Sequence, residues 1–192
     1  MTAEHGYGIG RDEALELVRE HLKTPNMVNH CLASEAVMGA LAVKLGEDEQ
    51  KWRLAGLLHD LDSETHTDLD VHTQETARIL TEKGVDAEII EAIRLHNPQA
   101  HPGETRSTNF QHGLAAAETL TGLIVASALV NPARKLSAVK PKSVKKRFKE
   151  KAFARGANRE IIAECTQLGI EVPEFCELGL AAMQEIADDI GL

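Results

Sequence analysis

Apolar residues recur three and four positions apart along almost the whole chain, the spacing that lines one face of an α-helix. Leu15, Leu17, Val18 and Leu22 predict a first helix over 11–22. Thr24 before Pro25 is an N-cap and first-turn pair, opening a helix over 26–45 that Gly46 stops. Asp48 starts a third, which ends near His59-Asp60. A fourth is predicted over 69–83, closed by Gly84, and a fifth over 86–97, closed by Asn97-Pro98. HPGETRS, 101–107, reads as a loop. Thr108 with Gln111 makes a capping-box pattern and opens a long, strongly apolar helix to about Val130, broken by Asn131-Pro132. Further helices are expected at 142–155, 158–168 and 173–190. No stretch alternates as a strand would, so the pattern predicts an all-α bundle. The linker 131–141 is too short to mark a second domain by itself.

Composition narrows this. The 192 residues are 43 % hydrophobic but only 3 % aromatic, so Leu, Ile, Val and Ala must fill the core. No apolar run approaches the roughly 20 residues of a membrane span. The N-terminus lacks the basic-then-apolar pattern of a signal peptide. Cys31, Cys165 and Cys176 form no CxxC pair and are odd in number, which reads as free thiols in a reducing cytoplasm. The net charge is −9, yet residues 133–159 hold eleven Lys/Arg and one acid, a local balance of +10. Such a segment suits an anionic ligand or partner, or a plain solvated face balanced by the acidic body. Lys142, Lys146 and Lys149 share one helix face, and Phe148 and Phe153 read as core. Lys140, just before Pro141, is the expected substrate contact. Without interleaved aromatics, nucleic acid is the lesser alternative for 140–155.

The segment GLLHDLDSE, 56–64, ends an apolar helix on His59-Asp60 and then adds two more acids. Four further residues carry the same chemistry: His30 in the second helix, His72 at the start of the fourth, His96 at the end of the fifth, and Glu118 inside the long apolar one. A bare carboxylate is costly to bury, and a cation is one partner that removes the cost. Imidazole with carboxylate suits a divalent metal such as Mn, Fe, Ni, Co, Zn or Mg. Each residue also has a plainer reading: His30 as a hydrogen-bonded core or boundary residue, His59-Asp60 as a polar surface turn, His72 and His96 as helix-end polar groups, and Glu118 as half of an ion pair with an Arg. His21, His66, His101 and His112 read as loop or solvent residues, and Glu35 as a solvent-facing acid. Asp62 and Glu64 either orient the histidines, bind substrate, or form a solvated turn, the last preferred for Glu64.

The order His30, His59-Asp60, His72, His96, Glu118 resembles the HD superfamily of metal-dependent phosphohydrolases, and HDLD is similar to its HDIG signature. The resemblance extends through AIRLHN, AAAETLTGLIVASALV and VKKRFKEKAFARGANRE, over roughly residues 10–185. It implies a multi-helix HD bundle over 10–132 carrying the metal site, with the basic segment and C-terminal helices of 133–192 packed on it as an extension. It implies one metal held by His30, His59, Asp60 and Glu118, where Glu stands in place of the superfamily's Asp. It implies a second held by Asp60, His72 and His96, with His59 and Asp60 in the catalytic role. The activity implied is hydrolysis of a nucleotide or other phosphoester by a metal-activated water, with Lys140 and Asp62 binding the small phosphorylated substrate. Two alternatives stay open: a di-iron oxygenase, which some HD proteins with this richer histidine set are, and a metal-binding regulatory module without turnover. No membrane partner is expected, and the long and final helices offer surfaces for a homodimer.

Overall fold

The computed structural model describes residues 6–192, and among them there is helix and turn but no strand. Among the described residues nine α-helices follow one another: α1 (Arg11–His21), α2 (Pro25–Leu45), α3 (Glu49–Leu58), α4 (Gln74–Glu82), α5 (Ala87–His96), α6 (Asn109–Leu129), α7 (Pro141–Lys149), α8 (Arg159–Ile162) and α9 (Val172–Glu185). Short 3-10 turns lie at Pro98–Ala100, Leu136–Ala138 and Ala163–Leu168. Most predicted ends coincide with these. Gly46 and Gly169 stop helices in the left-handed conformation that glycine adopts without penalty. Thr108 and Gln111 form the reciprocal capping box at the head of α6.

Two long helices organise the rest. α2 packs against α3, α6 and α9, while α6 also meets α5, α7, α8 and the Ala163–Leu168 turn. Neither has one simple apolar stripe, because each is covered on several sides. Val37, Met38 and Leu41 of α2 and Leu120, Leu123 and Ile124 of α6 are fully buried. By length and composition alone α6 could cross a membrane, but 67 % of that stretch is buried inside this fold. The C-terminal helices lie on the same core, with α9 against α2, α6 and α7.

Four expectations need correction. The fourth helix begins at Gln74, not 69, because residues 60–73 fold as successive turns around Asp62 and Asp68. The basic helix stops at Lys149 rather than 155, where the Arg159 guanidinium takes over its last carbonyls. The final helix ends at Glu185, and the chain continues in turns. Glu35 is buried, not solvent-facing, and makes a two-bonded ion pair with Arg11 at 2.5 and 3.0 Å.

Candidate metal centre

The candidate ligands come from separate elements, with only His59 and Asp60 adjacent in the chain. His30 lies in the second turn of α2, and His59 caps the C-terminus of α3, with Asp60 the next residue. His72 sits in the turn before α4, and His96 is the last residue of α5, stopped there by Asn97 and Pro98. Asn97 does more than stop the helix. Its Nδ2 donates to the carbonyls of Leu69 (2.7 Å) and His72 (3.0 Å), tying the end of α5 to the turn that carries His72.

These side chains converge on one carboxylate. Asp60 Oδ2 lies 3.7 Å from His30 Nε2 and 3.6 Å from His59 Nε2. Its Oδ1 lies 3.1 Å from His72 Nε2 and 3.6 Å from His96 Nε2. The two pairs are separately close, at 3.1 Å between His30 and His59 Nε2 and 3.3 Å between His72 and His96 Nε2. His30–His59–Asp60 and Asp60–His72–His96 thus form two triads sharing Asp60, each compact enough to grip one cation.

The proton positions follow from the outer contacts. His59 Nδ1 faces the Gly56 carbonyl at 2.9 Å and His96 Nδ1 the Ile93 carbonyl at 2.7 Å, so both must donate from Nδ1. Thr121 gives its hydroxyl proton to the Glu118 carbonyl at 2.7 Å and therefore accepts from His30 Nδ1 at 3.0 Å. His72 Nδ1 donates to Asp62 Oδ1 at 2.7 Å. In their neutral forms all four rings then present Nε2 lone pairs to an anionic carboxylate. Acceptors that close together require positive charge among them, so the donor set fits divalent metals, with the outer partners fixing each ring as metal sites generally do.

Ionisation reports the same demand. Burial opposes the charge on Asp60, but the surrounding histidines outweigh it and hold its carboxyl well below the usual range. Burial pushes His59 down to about 3. It acts on His72 in the same sense, but Asp60 and Asp62 overcome it and raise that ring to about 10. Burial pushes the Glu118 carboxyl up.

The remaining expected site residues are placed less centrally. Glu118 belongs to neither triad: its Oε2 is 4.0 Å from His30 Nε2, and its other oxygen accepts from the Thr119 hydroxyl. It lines the cavity of about 590 Å³ into which Asp60, His30, His72 and His96 open. Asp62, read either as an orienter of the histidines or as a substrate contact, is not among the residues lining that cavity. Its carboxylate is fully buried and accepts from His72 Nδ1 and from the backbone N–H groups of Thr73 (2.9 Å) and Thr76 (3.2 Å). Lys140 is exposed at the N-cap of α7 and is not among the residues lining the cavity. Within the basic segment, Lys145 pairs with Glu177 of α9, and Arg147 lies over the Phe153 ring at 4.1 Å.

Several contributors were either not singled out in the sequence or read there in another role. Thr73, beside His72, holds a left-handed φ of 84°, unusual for a β-branched residue. Asp62 holds its N–H, and its hydroxyl donates to the Arg94 carbonyl at 3.3 Å. His101, expected in solvent, is buried: it accepts from Arg94 on Nδ1 and so donates from Nε2 to Thr73 Oγ1 at 3.0 Å. Glu64, expected as a solvated turn, accepts from the N–H groups of Lys23 and Thr24 at 2.9 Å each and so secures the entry to α2. Thr121 could have been found as the residue three past Glu118, on the side of α6 that meets α2.

Residues 27–128, more than half of the chain, match the HD domain family. Ribonuclease Y of Thermotoga petrophila is 30 % identical over 142 residues, which cover 71 % of this chain and 27 % of that protein. Ribonuclease Y of Bacillus thuringiensis is 29 % identical over 141 residues, 71 % of this chain and 26 % of that one. Ribonuclease Y of Oleidesulfovibrio alaskensis is 30 % identical over 98 residues, 50 % and 18 % respectively. The chain therefore spans about a quarter or less of these relatives. No solved structure matches it. All five residues of the two triads fall inside the matched stretch, and the chain belongs to the HD domain family.

Proposed function

We propose that this protein is a metal-dependent phosphohydrolase acting on a nucleotide or another phosphoester. The observation that carries the reading is one carboxylate, Asp60, with each oxygen facing a separate pair of histidine Nε2 atoms beneath an open cavity. His30, His59 and Asp60 would hold one divalent ion, and Asp60, His72 and His96 the other. Bound there, such ions supply a water that is acidic near neutral pH and offset charge on phosphoryl oxygens. The protein's own part is to fix geometry. Gly56, Ile93, Thr121 and Asp62 set the four rings, so the donors need little rearrangement. Glu118 stands one step out, where its carboxylate can accept from a water at the centre. The relatives' name directs the first assays to RNA alongside simpler esters.

The test is to load the full chain with Mn, Fe, Ni, Co, Zn or Mg and assay single-stranded RNA, nucleoside monophosphates and bis(p-nitrophenyl) phosphate. Turnover that requires metal and disappears in Asp60→Ala is expected. No hydrolysis of any of these with any metal overturns the reading. A set of four imidazoles and a shared carboxylate also suits iron. Two irons per chain with oxygen consumption and no phosphoester turnover would make the protein an oxygenase instead.

A further inference from the structure

Among the described residues, glycine occurs inside helices at Gly39, Gly56, Gly113, Gly122 and Gly179. After proline it is the least favourable residue there, so each position asks for a reason. Four have one in close packing. A Cβ would stand 2.5 Å from the Arg53 guanidinium at Gly39 and 2.6 Å from the Ser34 carbonyl oxygen at Gly56. It would stand 2.8 Å from the Trp52 ring at Gly113 and 2.6 Å from Leu120 at Gly179. Gly122 has no such neighbour, since nothing lies within 4 Å of its Cβ position. It is exposed, and it lines the cavity above the two triads. Gly156 repeats the pattern: it has no positive φ, nothing within 4 Å, and it lines the same cavity.

The two bare positions sit on fixed elements. Gly122 lies four residues past Glu118 on α6, one turn further along the same face. Gly156 belongs to the loop between α7 and α8, which is gathered around one guanidinium. Arg159 donates to the carbonyls of Arg147, Phe148, Glu150, Phe153, Ala154 and Ala157. The first three close the C-terminal end of α7, where carbonyls lack helical partners and a cation is favoured. Part of the remaining wall is apolar, beside the polar Asn97, Gln99, Glu118 and Thr119. Leu69 is an apolar side chain left 51 % exposed, Pro98 and Ile161 add apolar faces, and Asn158 adds a carboxamide.

We propose that the trough flanked by Gly122 and Gly156 is the seat of the substrate's organic group, and that it takes a flat aromatic or heteroaromatic ring. The proposal rests on the phosphohydrolase reading for what lies at the metal end. The glycines keep the trough open at the cost of helix propensity at Gly122. Asp60, His72 and His96, each more than nine-tenths buried and aimed at the floor of the same cavity, supply the polar end. Arg159 is a positioning residue for the loop that carries Gly156.

The experiment uses the full chain loaded with Mn²⁺ and two probes that cannot be hydrolysed, phenylphosphonate and methylphosphonate. Affinities are measured by calorimetry for wild type, Gly122→Leu, Gly156→Val and Gly122→Ala, with metal content and melting temperature recorded for each. Both larger substitutions should weaken phenylphosphonate at least tenfold and leave methylphosphonate and metal content within twofold. Gly122→Ala should melt no lower than wild type and weaken phenylphosphonate by a smaller factor, which keeps the test open if the leucine variant folds poorly. If phenyl phosphate is also turned over, its KM should rise by the same factor while kcat changes little. Absence of turnover with these affinity differences intact sinks the phosphohydrolase reading and leaves the seat standing. Equal phenylphosphonate affinity in wild type and variants, or no wild-type preference for phenyl over methyl, overturns the seat.

Discussion

The two histidine pairs on Asp60 are built in different ways. His30 and His59 belong to α2 and to the end of α3, and neutral oxygens hold their Nδ1 atoms, the Thr121 hydroxyl and the Gly56 carbonyl. Of their partners, His96 ends α5 with its Nδ1 on the Ile93 carbonyl, but His72 depends on a stretch without regular structure. His72 rides on a turn whose anchor is a buried carboxylate, Asp62, helped by a left-handed Thr73 and by Asn97 reaching across from α5. A ligand on a packed helix needs only a small tie, because the helix already fixes its backbone. A ligand on a turn needs the turn itself to be held. The two halves should therefore break separately, and the second should break at residues that touch no metal.

The largest effect should come from Asp60→Ala, which removes the oxygen shared by both halves; metal analysis should find both equivalents lost. Asp62→Asn should separate the halves. It takes the charge from the anchor of His72, so affinity for one equivalent should fall about 10- to 100-fold while the other is retained, readable by metal titration. If both equivalents weaken alike, the halves are not independent. Thr121→Val should act on the opposite half and more weakly, by about tenfold at most, because α2 still places His30. A smaller, purely structural effect is expected at Glu164. It accepts from Arg106 and His112, and Arg106 also donates to the Leu95 carbonyl beside His96. Burial works against the Glu164 charge, but Arg106 and His112 outweigh it and hold its carboxyl below the usual range. A depressed carboxyl stabilises the fold above its unfolded value of about 4.5, and that stability is lost as the pH falls through the lower folded value. Glu164→Gln should cost about 2 kcal/mol at neutral pH and flatten the acid limb of the melting curve, measured by thermal denaturation from pH 3 to 7.

The same contrast decides what could be read from the sequence. Helix-borne features were legible, because caps and stops are local. Gly46, Gly169 and the Thr108–Gln111 box each act within a few residues. His59-Asp60 and His96 were legible for the same reason, as polar ends of apolar helices. The turn 60–73 was not, because no periodic signal marks a residue such as Thr73 forced to positive φ by contacts with Asp62, Arg94 and His101. Asp62 could be read as a ligand orienter or a substrate contact, and only its burial behind His72 separates the two. Lys140 was chosen for its charge, yet which wall a side chain faces depends on how α7 is set against α6 and α9. Arg159 could not be distinguished from the other basic residues of its segment, although it holds six backbone carbonyls.

Whether one carboxylate joins two separately built cation sites is read most directly from crystals of the Mn-loaded protein and their anomalous difference map. Two peaks are expected, one on each side of Asp60, the first among His30 and His59 and the second among His72 and His96. A single peak away from Asp60, or no peak in Mn-loaded crystals, would contradict that arrangement.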